Sequence, residues 1–248
     1  MTELALIVGS GFERLGLDIV ARSPTKTPYG EPSSPVLTAC IAAVRVACIV
    51  RHGENHELAP HEINYRANLW ALKQRGVRAC IGVNTVGAID AGLVPGELAV
   101  PDQLIDYTYG RVSTFGGAGA GVRHVEFTEP FAPLLRGRIA AAASASGLRI
   151  RAGTYGVTQG PRLETAAEIE RLARDGCDMV GMTAMPEAAL ARELGIDYAI
   201  CAVAVNHAAG RAPDGLPIGD QVERFASAGL AKAAAVILRL VTDGAGAM

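Results

Sequence analysis

Arg51-His52-Gly53-Glu54-Asn55-His56 directly follows the apolar run Val46 to Val50, so a buried strand is expected to end in a guanidinium, an imidazole and a flexible glycine. Such a strand end suits an anion, because a guanidinium matches phosphate oxygens with two parallel hydrogen bonds. Three other apolar runs finish in small polar residues: Val8-Gly9-Ser10-Gly11, Gly82-Val83-Asn84-Thr85-Val86-Gly87 and Val180-Gly181-Met182-Thr183. A parallel or mixed sheet gathers the carboxyl ends of its strands along one edge. The four segments are therefore expected to converge on one phosphate-sized group.

Other chemistry fits these residues less well. Gly9-Ser10-Gly11 resembles the start of a dinucleotide loop, but Arg14 stands where that fingerprint needs its third glycine. A nest of backbone N–H groups with one hydroxyl is the better reading. His52, His56 and His61 are spaced for a metal only on a helical face, which Gly53 and Pro60 disfavour, and no zincin-type second histidine follows His61-Glu62. Two further polar residues stand beside expected elements. Glu164 follows the turn Thr158-Gln159-Gly160-Pro161, where it either starts a helix or faces a ligand. Asn206 ends the apolar run Ala199 to Val205, and its amide offers a donor and an acceptor to a heterocycle edge.

The elements that must position these groups are legible in outline. Apolar runs predict buried strands at 4–8, 46–50, 79–83, 150–154, 178–182 and 198–205. Helices are expected at Asn64 to Arg75, closed by Gly76, at Glu164 to Arg174 with Ala166, Ala167, Ile169, Leu172 and Ala173 inward, at Pro186 to Leu194, and at Gln221 to Val241. Ser23 to Pro35 and Ser113 to Gly121 read as surface loops, and Thr242 to Met248 as a frayed tail. Half of the residues are hydrophobic but only 5% aromatic, with 29 glycines, which is the profile of an α/β enzyme. The expectation is a single domain over 1–248 with a central mixed, partly barrel-like sheet flanked by helices.

A net charge of -2 gives no basic face for nucleic acid or an acidic membrane surface. No stretch is read as a membrane span and no leader is apparent, so a cytoplasmic protein is expected. Five cysteines, an odd number without C-x-x-C spacing, are expected to be reduced and structural.

Several longer motifs occur in one order: Arg51-His52-Gly53 through Asn64-Tyr65-Arg66-Ala67-Asn68, Pro95-Gly96-Glu97-Leu98, Thr128-Glu129-Pro130-Phe131, Gln159-Gly160-Pro161-Arg162, and Gly181-Met182-Thr183 through Pro186-Glu187. In these the chain resembles the trimeric purine nucleoside phosphorylase and 5′-methylthioadenosine phosphorylase family from Ile7 to about Leu240. The resemblance implies phosphate held by Ser10, Arg51, His52, Thr85 and Thr183, with Asn84 alongside. It implies nucleoside contacts from Val86, Gly87, Leu163, Glu164, Met182 and Asn206.

Within that family, members for 6-oxopurines carry Glu and Asn where this chain has Glu164 and Asn206, whereas adenosine-type members carry Ser and Asp. The chemistry agrees: a carboxylate accepts from purine N1–H, and an amide N–H₂ reaches O6 or N7. At the ribose 5′ end the loop before the last helix supplies Leu216, Ile218 or Val222 rather than a histidine, an apolar wall suited to S–CH₃. Together these features resemble members acting on S-methyl-5′-thioinosine. Asn206, Arg51 and Thr183 are then the catalytic candidates, phosphate is a co-substrate, and no cofactor or metal is implied. His124 matches a residue lent by a neighbouring subunit, implying a homotrimer. Leu163 departs from the family's stacking aromatic. The rival readings are a general phosphorylase for inosine and guanosine, a methylthioadenosine phosphorylase, a non-catalytic nucleoside-binding protein and a nucleotide-binding redox enzyme.

Overall fold

The computed structural model describes residues 3–117 and 121–245. Along the described chain run β1 (Leu4–Val8), a 3₁₀ turn (Phe12–Leu15), β2 (Asp18–Ser23), β3 (Val36–Ile41), β4 (Val44–Val50), α1 (Tyr65–Gln74), β5 (Ala79–Ala88), β6 (Leu98–Ala99), β7 (Gln103–Asp106), α2 (Pro133–Ala145), β8 (Ile150–Arg151), β9 (Thr154–Val157), α3 (Ala166–Arg174), β10 (Met179–Gly181), α4 (Ala184–Glu193), β11 (Asp197–His207) and α5 (Ile218–Ala245). The strands join in one mixed sheet of order β2-β3-β4-β1-β5-β10-β9-β7, which branches at β5 where β11, then β6 and β8, are added.

Strand β5 organises the site. β11 pairs parallel to it from Asp197↔Ala79 to His207↔Ala88, so one edge of β5 is occupied throughout. Two strands share the other edge. β1 pairs parallel with Ala79 to Val83, and β10 pairs antiparallel with Gly87 and Ala88. Asn84, Thr85 and Val86 thus lie between the end of β1 and the arriving β10, where the sheet opens.

The inner strands β1, β4, β5 and β11 are largely apolar because both faces of the sheet are covered there, while the edge strands β2 and β7 are mostly exposed or half-buried. On β1, Ala5 and Ile7 join the cluster containing Leu69 and Leu72 of α1 and Ala188 and Leu190 of α4. Leu6 and Val8 point the other way, with Leu135 and Ile139 of α2 and Leu230 and Ala233 of α5.

Several sequence expectations change. β5 does not end at Val83 but continues through Ala88, because β11 and β10 pair with its second half. The run expected at 150–154 is divided at Gly153, whose φ of 152° separates β8 from β9. α3 starts at Ala166 with Thr165 as its N-cap in a capping box with Glu168, so Glu164 lies outside the helix. Ala166 and Ala167 are exposed, and Ile169 and Leu172 form the buried stripe. The unanticipated α2 is rich in alanine, which leaves little apolar periodicity to read.

The chain from 24 to 35 is irregular apart from a bridge between Thr27 and Gly30. Part of the 113–121 loop and the end of the expected tail lie outside the described residues, and α5 runs past Val241 to Ala245. Contrary to the sequence reading, α5 is long and apolar enough to cross a membrane by length and composition. Here its stripe of Ala226, Leu230, Ala233, Ile237 and Leu240 is buried, packed against the sheet and α2.

Gly82 shows how tightly the centre is filled: a Cβ there would lie 2.4 Å from the Tyr198 hydroxyl oxygen and 2.9 Å from Asn84 Oδ1. Gly82→Ala is expected to cost about 1–3 kcal/mol through overpacking. The check is a lowered urea midpoint at unchanged slope, and a wild-type midpoint would show that Tyr198 is free to move away.

Candidate active site

Where β1 and β4 end side by side, the Arg51 N–H donates to the Val8 carbonyl at 2.8 Å and the side chain turns into the interior. Arg51 is 1% exposed, and a guanidinium so buried needs a partner. Glu187 of α4, 0% exposed, supplies it: Nε and Nη2 donate to Oε2 and Oε1 at 2.9 and 2.8 Å. Nη2 also reaches Asn84 Oδ1 and the Ile7 carbonyl, while Tyr198 donates to Glu187 Oε1 at 2.6 Å. Burial works against the charge on Arg51, but the Glu187 carboxylate outweighs it and the guanidinium pKa is raised overall.

This corrects the expectation of a two-pronged anion fork at Arg51. The paired edge of the guanidinium is engaged by Glu187. Nη1, 3.4 Å from the Val83 carbonyl, is the nitrogen beside the Gly9 turn, where a Cβ on residue 9 would lie 2.9 Å from it.

The other nominated phosphate residues gather at the opening in β5. Asn84 Nδ2 donates to Thr183 Oγ1 at 3.0 Å, joining the middle of β5 to the residue after β10. The convergence arises differently from the expectation: β10 runs antiparallel to β5, so its end returns to Asn84 rather than lying beside Ala88. Ser10 is on the exposed turn after β1, which leads into a 3₁₀ turn and β2 rather than the helix of a dinucleotide fold. His52 Nδ1 lies 2.8 Å from the Leu58 carbonyl. Burial lowers its pKa to about 4, with Arg51 and His56 adding to the shift and the Leu58 carbonyl opposing it. The imidazole is neutral near pH 7, with its proton on Nδ1 and a lone pair on Nε2.

At the far end stand the two groups nominated to read a base. Glu164 Oε1 accepts from the Thr158 hydroxyl at 2.5 Å. With Glu168 providing the capping box, Glu164 is left to the cleft. Asn206 follows a register shift between Ala204 and Asn206, and Nδ2 donates to the His207 carbonyl at 2.8 Å. His207 N–H in turn donates to Oε1 of Gln221, which is 2% exposed, so the strand end is tied to α5. A Cβ on Gly87 would lie 3.1 Å from Asn206 Nδ2, so glycine gives the amide its space.

Ser10, Arg51, His52, Asn84, Thr183, Glu164 and Asn206 border one cleft of ≈ 780 Å³, together with Thr85, Val86, Gly87, Met182 and the half-exposed Leu163. Ile218, Val222, Ala226 and Leu230, four apart on α5, form an apolar wall. Of the expected wall residues Leu216, Ile218 and Val222, only Ile218 and Val222 border the cleft, and both belong to α5 rather than to the loop before it. His124 is exposed and lies outside the cleft of its own chain.

Sequence reasoning missed the roles of Glu187, Thr158 and Gln221. Glu187 carried a signal, being the one acid in the apolar stretch Ala184 to Ala191 of a chain whose buried arginine needs a counter-charge. The cysteines are free, and burial raises the thiols of Cys48 and Cys201 to about 12. Among the described residues no group of three His, Cys, Asp or Glu side chains is placed to hold a metal.

The probable S-methyl-5′-thioinosine phosphorylase of Xanthomonas campestris pv. campestris is 53% identical over 210 residues, 84% of each chain. The 6-oxopurine nucleoside phosphorylase of Pyrococcus furiosus is 40% identical over 230 residues, 90% of this chain and 86% of its own. Among solved structures, methylthioadenosine phosphorylase from Schistosoma mansoni in complex with adenine superposes with a TM-score of 0.92 at 29% identity, covering 100% of this chain and 93% of that one. The phosphorylase superfamily model matches residues 3–242. With the sheet, the cleft and these likenesses in agreement, the chain belongs to the phosphorylase superfamily.

Proposed function

We propose that this enzyme catalyses reversible phosphorolysis of a 6-oxopurine thionucleoside, converting S-methyl-5′-thioinosine and phosphate into hypoxanthine and S-methyl-5-thioribose 1-phosphate. One observation carries the reading: the opening in β5 with Ser10, His52 and Thr183, the Glu164–Asn206 pair and the apolar wall of α5 border the same cleft. The names of the Xanthomonas and Pyrococcus relatives support it.

In this reading phosphate lies against Ser10, Thr85, Thr183 and Nη1 of Arg51. Because His52 is neutral, Nε2 acts as an acceptor for the single O–H of HPO₄²⁻ rather than as a cation. Ribose rests on Met182 and Val86, and its methylthio group meets Ile218 and Val222. Glu164 accepts from purine N1–H, while the second N–H of Asn206 reaches the base at N7.

A phosphate oxygen attacks C1′ as the C1′–N9 bond breaks, and the bonding pair leaves with the purine. The transition state separates charge between an oxocarbenium-like sugar and a purine anion, so an anion beneath C1′ and a donor at N7 both stabilise it. The reading needs no metal or organic cofactor. It includes a cytoplasmic homotrimer serving purine salvage, in which His124 of each chain completes a neighbour's cleft.

A panel of methylthioinosine, inosine and methylthioadenosine, each with and without phosphate, tests the proposal. Methylthioinosine is expected to be consumed fastest and only with phosphate. Release of hypoxanthine at the same rate without phosphate would mean hydrolysis, and a preference for methylthioadenosine would overturn the base assignment.

Asn206→Asp places a carboxylate oxygen against the His207 carbonyl and removes the donor. It is expected to lower turnover of the 6-oxopurine by about 10²-fold, within the range for a positioned donor or acid, and to shift the ratio toward 6-aminopurines. An unchanged ratio of the two substrate classes would contradict the contact.

The folded pKa of His52, about 4, lies below its ordinary 6.5. The unfolded chain therefore binds this proton more readily, and the stability contributed by neutral His52 is full above pH 6.5 and lost as pH falls toward 4. Imidazole resonances of His52 are expected to stay those of the neutral ring at pH 6, and half-protonation there would contradict its burial.

A further inference from the structure

Arg111 stands in the irregular stretch between β7 and α2, and no part of the proposed chemistry uses it. Its guanidinium forms no ion pair among the described residues and instead engages neutral oxygens of segments that build the cleft. Nη1 donates to the carbonyls of Met182 and Met185, both at 2.7 Å, and lies 3.3 Å from the Tyr65 hydroxyl. On the other side Nε donates to Gln159 Oε1 at 3.2 Å and Nη2 to the Gln159 carbonyl at 2.7 Å.

The backbone explains why an arginine is used. Met185 leaves helical geometry at φ -114° and ψ 138°, and Pro186 has no N–H to offer the carbonyl of Met182 four residues back. Two carbonyls beside Thr183 are thereby left to other donors, and the planar fork of Arg111 meets both from one nitrogen. Gln159 and Gly160 belong to the turn that leads to Glu164, and a Cβ on Gly160 would lie 2.5 Å from Met182 sulfur. The base-reading turn and the sugar-facing strand end are therefore in contact, with Arg111 bound to both. Thr183 has its own hold from Asn84, within the network of Arg51 and Glu187.

We infer that Arg111 is a positioning residue for the nucleoside, fixing the spacing between Met182 and the Thr158-to-Glu164 turn while leaving the phosphate subsite to the Arg51–Glu187 network. The inference rests on the reading of the cleft proposed above.

The test uses R111A and R111K in the full chain, with methylthioinosine and phosphate varied independently. For R111A, kcat/KM for the nucleoside is expected to fall about 10²-fold, as for a misplacement near 1 Å, with KM for phosphate within about twofold of wild type. Millimolar guanidinium chloride is expected to restore part of the turnover of R111A, and sodium chloride none. R111K keeps the charge but not the fork, so it is expected to show the same split in smaller measure; it serves alone if R111A does not fold. A comparable rise in KM for phosphate, or an unchanged nucleoside kcat/KM in R111K, overturns the inference.

Calorimetry of hypoxanthine and of phosphate binding, without turnover, separates this idea from the function. Weakened hypoxanthine binding in the variants with intact phosphate binding upholds the role of Arg111. If wild type then fails to turn over methylthioinosine with phosphate, the functional reading alone fails.

Discussion

A guanidinium and a carboxylate, both out of reach of solvent, join four elements at one point. Arg51 directly follows β4, Glu187 comes from α4, and their respective partners Asn84 and Tyr198 come from β5 and β11. Taking both charges from water is costly, and a pair of this kind persists only where every remaining N–H and lone pair finds a partner. Here the Ile7 and Val83 carbonyls, Asn84 and Tyr198 take up the pair except for one N–H of Nη1, the nitrogen beside the Gly9 turn. Asn84 hands the order on to Thr183, so the geometry of this end of the cleft descends from one buried pair.

The other end of the cleft is ordered by hydrogen bonds without an ion pair. Thr158 steadies Glu164 from the turn after β9, the His207 carbonyl steadies the Asn206 amide, and Gln221 steadies His207 from α5. Each group that would meet a base is thus held by a side chain or carbonyl outside the cleft's polar floor. Such outer support narrows the orientations available to a long carboxylate or a rotatable amide before any ligand arrives.

The sequence made the strand ends legible because β1, β4 and β10 are short apolar runs followed by Gly-Ser, Arg-His or Met-Thr, and part of the site is built from those closures. It hid what depends on pairing across the sheet. The continuation of β5 through Asn84-Thr85 is decided by β11 and β10, more than ninety residues away, and no local pattern records it. The polar mate of Arg51 was hidden for the same reason, since its contact spans 136 residues. At Glu164 the helix-starting and ligand-facing readings were equally open until Thr165 and Glu168 took the capping role. Alanine obscured α2, because alanines lie on both its buried and its exposed sides and only Leu135 and Ile139 mark the inner face.

The stripe from Ile218 to Leu230 changes character along its length. Its later members are anchored in the interior behind Gly11, where a Cβ would meet Leu230 at 2.4 Å, but Ile218 and Val222 are only partly covered and belong to the first turns of α5. Those first-turn side chains can therefore be exchanged at little structural risk, and in the proposed reading this would retune tolerance for groups on the sugar's exocyclic carbon. The Asn206 amide and the Gly9 turn, held by separate bonds, would be left untouched. Divergence among such proteins is then expected to run fastest in this exchangeable rim, with the anchored part of the helix changing slowly.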